Sequence, residues 1–218
     1  MYIIVVGASK IGEQIAKLLS QERHNVVVVE KNEDRATKVS EKLDVSVING
    51  SGTEIDVLQD AGADRADVIF AATSDDAVNL MVCELARILE IERRITLGQN
   101  PKHEKIFREV GTEEIIFPSR TIATYIRNII TRPSVRSVMS TMQKDADIVE
   151  VVIPPGAIIA GKEVKHIGMP EGSTITAIYR DNELLIPRGD TVVEAGDKII
   201  VLARNNIIEK VAELLTRR

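Results

Sequence analysis

The sequence predicts an α/β protein with a doubly wound parallel sheet, followed by a second, smaller α+β domain. Three observations predict this fold class. An apolar run, Tyr2 to Val6, leads into a glycine-containing turn, Gly7 to Gly12, and then into a helical pattern. A second apolar run, Val26 to Val29, ends on the acid Glu30. Apolar runs and helical patterns keep alternating to about residue 131, and strand-like patterns dominate after residue 147.

The first strand, turn, helix and strand have the spacing of a dinucleotide-binding unit in a Rossmann-like fold. Gly7 permits a sharp turn, and Gly12 lets the helix pack closely on the strand. The N–H groups at the helix start then face a pyrophosphate. Glu30 can accept hydrogen bonds from ribose hydroxyls and repels a 2′-phosphate, which favours NAD(H) or an adenine nucleotide over NADP.

Ser9 occupies the place of the middle glycine in the G-x-G-x-x-G pattern. That glycine normally lets the backbone approach the phosphates, whereas serine adds bulk and also a hydroxyl that can bond a phosphate oxygen. The alternative is a Rossmann-like domain that has lost its nucleotide. The strand, the helix, both outer glycines and Glu30 are all in register, and together they favour binding.

The other elements of the first domain follow in order. Ile11, Ile15, Leu18 and Leu19 predict one apolar face on the first helix. Helices are then predicted over residues 31–43, 57–61, 77–89 and 101–110, and strands over 45–48, 67–72, 94–97 and 115–117. Six strands alternating with helices complete a doubly wound domain.

Two turns lie at the predicted carboxyl edge of the sheet, where ligands bind in such folds. The turn 49–53 follows the third strand, and its position favours contact with the adenine side of the nucleotide; the alternative is a plain loop with Thr53 as a helix cap. The turn 73–76 follows the fourth strand at the topological switch point. We expect residues 73–76 to cap the next helix, and Thr73 and Ser74 also to lie beside the ligand crevice.

A further helix after Pro118 carries Ile122, Ile126, Ile129 and Ile130 on one face. The sheet is already complete at this point, so this stripe is a candidate for packing against another copy of the chain. The residues Arg132, Pro133 and Ser134 are expected to break the helix, and 135–146, which include Gln143 and Lys144, to form a linker or connecting helix.

The smaller domain begins with a predicted strand over 148–153. A short helix is expected within 161–168, and a hairpin of 174–179 and 183–186 around Arg180, Asp181 and Asn182. A strand over 198–203 and a final helix capped by Asn205 or Asn206 complete it. We expect domain bounds of 1–131 and 137–218.

Composition excludes several classes of protein. The net charge of −5 and the absence of a basic cluster argue against nucleic acid as a partner. No apolar run approaches the roughly 18 residues that span a bilayer, and Met1 leads directly into the first strand, so we expect a cytoplasmic protein without a signal peptide. The single cysteine, Cys83, excludes an intrachain disulfide.

The sequence shows no catalytic or metal-binding constellation. An NAD-dependent oxidoreductase with a small substrate domain is the alternative function, but it needs an acid–base group beside the nicotinamide. His24, His103 and His166 are expected on the surface or at caps, and Cys83 as a packed core thiol. No His, Cys and carboxylate residues have metal-ligand spacing.

Over nearly its full length the chain resembles the two-domain TrkA-type proteins of the regulator-of-potassium-conductance family. The resemblance rests on the segments 4–12, 49–52 and 72–80 in the first domain, and on 161–164, 175–180, Pro187 and 195–201 in the second. The glycine motif alone is weak, whereas the order of all these segments is specific.

The resemblance implies a cytosolic subunit that binds NAD(H), ATP or ADP and gates an integral-membrane potassium-translocating protein. It also implies a homodimer formed through the helix after strand six, or a ring of four or eight copies. The nucleotide-binding residues it implies are Gly7, Ala8, Ser9, Lys10, Ile11, Gly12, Glu30, Lys31, Gly50, Ser51, Thr73 and Ser74. A regulator of some other transporter remains a third possibility.

The segment after strand five departs from the family pattern. TrkA-type members tend to carry an arginine there that reaches the ligand, whereas residues 96–101 contain none. The choice between NAD(H) and ATP or ADP therefore stays open at this point.

Overall fold

A computed structural model describes residues 1–131, 135–140 and 145–218. The chain divides into two compact units, Met1–Thr121 and Ile122–Arg218. The helix break predicted at residues 132–134, and the part of the predicted linker at residues 141–144, lie outside the described residues.

The first unit is built on a six-stranded sheet in the order β3-β2-β1-β4-β5-β6, and all neighbouring strands are parallel. The strands are β1 (Tyr2–Val6), β2 (Asn25–Glu30), β3 (Ser46–Asn49), β4 (Val68–Ala71), β5 (Arg93–Leu97) and β6 (Glu114–Ile116). The helices are α1 (Lys10–Gln21), α2 (Glu33–Lys42), α3 (Ile55–Asp60), α4 (Asp76–Ile88), α5 (Glu104–Glu109) and α6 (Pro118–Thr131), which runs past the division between the units. The strand order reverses between β1 and β4, which confirms the doubly wound fold and places the switch point there.

Both faces of this sheet are buried, as the unbroken apolar strands predict. Ile4 and Val6 pack with Leu58 of α3 and Val82 of α4 on one face. The alternate residues of β1 pack with Ala16 of α1 and Val39 of α2 on the other. The sheet therefore keeps a dry aliphatic core on each side, and its carboxyl edge is the place where loops meet.

The predicted apolar face of α1 is wrong in part. Ile15 and Leu19 pack against the core, but Ile11 is 37% exposed and Leu18 is 46% exposed. The buried line of the helix runs instead through the small residues Gly12 and Ala16. Close packing of α1 on the sheet favours small side chains at the contact, so hydrophobicity alone misplaced the face.

The stripe on α6 is exposed in the single chain. Ile122, Ile126, Ile129 and Ile130 are each between 47% and 72% exposed, and Tyr125 between them is 54% exposed. An exposed apolar row of this kind is typical of a surface that contacts another protein.

The second unit contains a five-stranded antiparallel sheet in the order β10-β9-β11-β8-β7. The strands are β7 (Val135–Ser140), β8 (Ala146–Val152), β9 (Ser173–Arg180), β10 (Glu183–Leu185) and β11 (Lys198–Arg204), and α7 (Ile208–Thr216) follows them. Val149, Val201 and Ile178 of the sheet share one core with Ile208 and Leu215 of α7. This arrangement confirms a smaller α+β domain after the parallel sheet.

The hairpin prediction in this unit is confirmed. Arg180 of β9 pairs with Glu183 of β10, and the two residues between them, Asp181 and Asn182, have φ of 52° and 67°. Two consecutive residues with positive φ match the tight turns that the twist of a hairpin favours, and Asp and Asn tolerate that conformation.

Several local predictions are wrong. Residues 135–140 form β7 rather than a linker or helix, and the register of its pairing with β8 shifts between Ser137 and Met139. Such a shift interrupts the two-residue alternation that marks a strand in sequence. The short helix expected within 161–168 is present, but as a 3₁₀ helix of three residues, Val164–His166. The final helix begins after another 3₁₀ turn and has Ile207, not an asparagine, at its N-cap.

Candidate nucleotide-binding cleft

The turn between β1 and α1 is shaped by two glycines. Gly7 has φ of +99°, and a Cβ there would lie 2.8 Å from Cγ2 of Thr73. A Cβ on Gly12 would lie 2.1 Å from the carbonyl oxygen of Gly7. No side chain fits at either position, so the start of α1 comes as close to the strand edge as the backbone permits.

Ser9 is the N-cap of α1 and has extended backbone angles. Its Oγ accepts a hydrogen bond from the N–H of Gly12 at 3.2 Å. Because Ser9 Oγ acts as the acceptor in this bond, its hydroxyl proton can still be donated to a ligand. The first N–H groups of α1 also have no acceptor within the helix. This end of α1 therefore offers donors suited to a phosphate even without the middle glycine.

Glu30, at the end of β2, is 4% exposed. Its Oε2 accepts from the N–H of Ala8 at 2.7 Å, and its Oε1 accepts from the N–H of Asn32 at 2.8 Å. The nearest cation is the Arg35 guanidinium, whose Nε lies 3.9 Å from Oε1. Since each carboxylate oxygen has a further lone pair, Glu30 can still accept from a ribose hydroxyl.

The turn after β3 is tied to the same strand end. The N–H of Gly50 and the Nδ2 of Asn49 both donate to the carbonyl oxygen of Glu30, at 3.1 and 2.9 Å. Ser51 Oγ lies 2.7 Å from Thr53 Oγ1. Thr53 does not cap α3, since Glu54 is the N-cap and makes no side-chain capping bond. The hydroxyl pair instead shapes the turn itself.

At the switch point the cap predicted within residues 73–76 is confirmed, but Thr73 and Ser74 do not supply it. The N-cap of α4 is Asp75, whose carboxylate accepts from the N–H groups of Ala77 and Val78. Thr73 is held by Asn79, a fully buried residue of α4 that the sequence reasoning did not single out as functional. Asp75 caps α4, whereas Thr73 and Ser74 line the cleft.

These loops enclose one cleft. Its lining consists of Val6, Gly7, Ser9, Val29, Glu30, Lys31, Arg35, Gly50, Ser51, Gly52, Thr73, Ser74, Asp75 and Val78. Eight predicted site residues lie in it, namely Gly7, Ser9, Glu30, Lys31, Gly50, Ser51, Thr73 and Ser74. Ala8 contributes through its N–H to Glu30, and Gly12 lies behind the turn, where it is buried.

Lys10 and Ile11 do not line the cleft, and both are exposed. Only their backbone N–H groups, in the first turn of α1, are placed for a role at the cleft. Arg35 and Gly52 also line the cleft, and the sequence analysis did not predict them as site residues. The signal for Arg35 was its position five residues after the strand-ending acid, close enough in the chain to reach the same ribose end.

The loop after β5 is anchored beside the cleft by Asp76. This buried carboxylate accepts from the N–H groups of Gln99 and Asn100, at 2.7 and 2.9 Å, and lies 2.7 Å from Nδ1 of His103. Burial by itself raises the pKa of Asp76, but the two backbone donors and His103 outweigh it, so the pKa lies below its usual value. Asp76 therefore stays ionised and fixes the segment in which the family arginine is missing.

His24, His166 and Cys83 are not among the residues that line the cleft. His24 is half-buried with Nε2 3.7 Å from Glu22, and His166 is exposed beside Glu163. Cys83 is buried in the core, and burial raises the pKa of its thiol. Within 1–131, 135–140 and 145–218, no group of three His, Cys, Asp or Glu side chains is placed to hold a metal ion. In the same residues, no helix is long and apolar enough to cross a bilayer.

Two family models match the chain. The TrkA-N domain matches residues 3–118, and the TrkA-C domain matches residues 148–216. A curated relative from Methanothermobacter thermautotrophicus, named Trk system potassium uptake protein TrkA homolog, is 35% identical over 216 residues. The match covers 99% of this chain and 100% of that relative.

Among solved structures, the GsuK channel matches with a TM-score of 0.71 and 22% identity, over 99% of this chain and 39% of the channel chain. The chain thus spans about two fifths of that protein. A structure of GsuK bound to NAD matches with a TM-score of 0.69 at 23% identity, over 98% of this chain and 39% of that chain. A structure bound to ADP matches with a TM-score of 0.56 at 26% identity, over 61% of this chain and 35% of that one.

Proposed function

We propose that this chain, which belongs to the TrkA family, is a nucleotide-binding regulatory subunit that controls a potassium-transporting membrane protein. The observation that carries the proposal is the cleft at the carboxyl edge of β1, β2 and β4, in which the N-terminus of α1 faces the same space as Glu30. Donors for a pyrophosphate and an acceptor for ribose lie within one site.

The ligand class that fits this cleft is an adenine nucleotide, either NAD(H) or ATP and ADP. The ADP-bound GsuK structure supports an adenine nucleotide in a related domain. The turn 50–52 closes the cleft on the side of Glu30, where the ribose and adenine would lie. The segment around Gln99 and Asn100 is held by Asp76 and contains no arginine that could reach the far end of a ligand. The adenosine diphosphate part, which NAD(H), ATP and ADP share, is therefore the part that this cleft would recognise.

We propose a regulatory rather than catalytic role. In the described residues the titratable groups of the cleft are Glu30, Lys31, Arg35 and Asp75, and both carboxylates already accept backbone N–H groups. No histidine or cysteine of the described chain lines the cleft to serve as an acid or base beside a nicotinamide. Regulation would instead come from nucleotides that prefer different geometries of the assembly.

The partner in this proposal is an integral-membrane potassium-translocating protein, as the names of the TrkA relative and of the GsuK channel support. The chain would lie in the cytoplasm and reach the membrane through that partner. Its net charge of −5 disfavours binding to anionic lipid by charge alone.

The test uses proteoliposomes with and without a Trk-type potassium transporter. We expect the protein to sediment only with vesicles that contain the transporter, and potassium flux to change when NADH, NAD⁺, ATP or ADP is exchanged. Glu30→Ala, which removes the proposed ribose acceptor, should still sediment but lose the nucleotide response. Equal sedimentation with empty vesicles, or flux that ignores both protein and nucleotide, would contradict the proposal.

We also propose that α6 forms the seam of a homodimer. Ile126→Glu with Ile130→Glu places two charges on the exposed stripe, where burial of unpaired charge is strongly disfavoured. Light scattering should then report a smaller species than for the natural chain. Ile186→Glu, at an equally exposed position in the second unit, is the matched control and should leave the mass unchanged. An unchanged mass for the folded double variant would place the seam elsewhere.

A further inference from the structure

The ribose end of the cleft carries two cations beside its one acid. Lys31 directly follows Glu30, and Arg35 lies in the first turn of α2. Both line the cleft, whereas Glu33 and Asp34 of the same helical turn do not. Neutral ribose hydroxyls would leave these two cationic side chains without an anionic partner from the ligand.

Neither cation is committed to an ion pair of good geometry. The side chain of Arg35 is 54% exposed, and its only carboxylate neighbour in the described residues is Glu30, with Nε 3.9 Å from Oε1. This distance is beyond hydrogen-bonding reach. Lys31 has no salt bridge within the part of the chain that the structure describes. Both side chains are therefore available to an anion that enters the cleft.

The charge of Glu30 is meanwhile held by the protein itself. The N–H groups of Ala8 and Asn32 each donate to one of its carboxylate oxygens. With Lys31 and Arg35 included, the ribose end carries two positive charges and one negative charge. The expectation that Glu30 excludes a 2′-phosphate considered the acid alone and omitted these two cations.

We propose that Lys31 and Arg35 form a subsite for a phosphate on the adenosine ribose, so that the cleft accepts 2′-phosphorylated nucleotides of the NADP(H) class as well as unphosphorylated ones. The inference rests on the proposed function, in which the 5′-phosphates lie at the start of α1. Lys31 and Arg35 line the cleft just after the end of β2, where a Rossmann-like fold places the adenosine ribose, so an anion that both of them bind would be carried by that ribose. A guanidinium can bind phosphate oxygens in pairs, and the lysine adds a point charge.

The test compares two ligands that differ by one phosphate, AMP and adenosine 2′,5′-bisphosphate, by calorimetry at fixed salt. The natural chain should bind the bisphosphate at least as tightly as AMP. Arg35→Ala and Lys31→Ala should each lower the ratio of bisphosphate affinity to AMP affinity by about tenfold. Lys38→Ala, an exposed position of α2 outside the cleft, is the matched control and should change neither affinity.

Three results would overturn the subsite. In the first, the natural chain binds AMP about tenfold more tightly than the bisphosphate, which would show that Glu30 does repel the phosphate. In the second, the two variants weaken both ligands equally, which would make the cations general contacts to adenosine. In the third, neither ligand binds the natural chain, and the proposed nucleotide function then fails together with the subsite.

Discussion

Glu30 and Asp197 are buried carboxylates, one in each unit, that are held in opposite ways. Glu30 accepts two backbone N–H groups and faces an open cleft. Asp197, 1% exposed, accepts from Nε and Nη2 of Arg180 at 2.8 Å each and from the N–H of Glu194 at 2.8 Å. Burial raises the pKa of Asp197, but the guanidinium and this N–H hold it below its usual value.

The difference shows that the hydrogen-bond donors around a buried carboxylate decide whether it can bind a ligand or serves only to hold the fold. Backbone donors stabilise the charge of Glu30 and leave lone pairs directed at the cleft. The Arg180 guanidinium donates to both carboxylate oxygens of Asp197. It also donates to the carboxylate of Glu194 and to the carbonyl oxygen of Val192. Asp197 is therefore a structural clamp on the loop before β11, whereas Glu30 is a prepared acceptor.

The largest effect is expected from Arg180→Ala. The substitution leaves Asp197 buried without its counter-charge, and breaking such a pair costs about 3–5 kcal/mol of unfolding free energy. Urea denaturation followed by circular dichroism measures the loss. Arg188→Ala, at an exposed position, should stay within about 0.5 kcal/mol of the natural chain. Equal small losses for both would show that the Asp197 pair behaves as a surface ion pair, and the comparison would fail.

An intermediate effect is expected from Glu30→Gln. The amide keeps the shape but offers only one acceptor, so the N–H of either Ala8 or Asn32 loses its partner. We expect a loss of about 1–2 kcal/mol in stability and about tenfold or more in nucleotide affinity. Denaturation and calorimetry on the same sample separate the two effects. Glu33→Gln, exposed on α2, is the control. A stability loss with unchanged affinity would reassign Glu30 to structure alone.

The smallest effect is expected from Asp76→Asn, and it is a change in how the free energy of unfolding depends on pH. Because the folded pKa of Asp76 is lowered from 3.8, its stabilising contribution is present above that value and is lost as pH falls through the folded pKa. At neutral pH the variant should be less stable by about 1 kcal/mol, and the gap should close in acid. Asp60→Asn, at an exposed position, serves as the control. A gap that is constant from about pH 6 to pH 3 would contradict this role.

The sequence was sufficient for the parallel sheet, the glycine turn and the acid at the end of β2, because these follow from local spacing. It was insufficient where contacts distant in sequence decide the outcome. The Asp76 anchor joins α4 to a loop more than 20 residues away, and no local pattern marks it. β7 takes its structure from pairing with β8. Asp75 is the N-cap of α4 because its carboxylate accepts from the N–H groups of Ala77 and Val78, whereas the hydroxyls of Thr73 and Ser74 do not.

Asn79 has a consequence for motion. Its Oδ1 accepts from the N–H and the hydroxyl of Thr73, and its Nδ2 donates to the carbonyl oxygens of Thr73 and Leu97. All four hydrogen-bonding positions of one fully buried amide therefore connect the ends of β4 and β5. Separating these two strand ends would break all four hydrogen bonds of one buried side chain, so the Thr73 amide hydrogen should exchange with solvent only in rare, larger openings. A nucleotide bound in the cleft would then contact rigidly held ends of β4 and β5. Any movement on binding would shift whole strands and helices, and would not be confined to one loop.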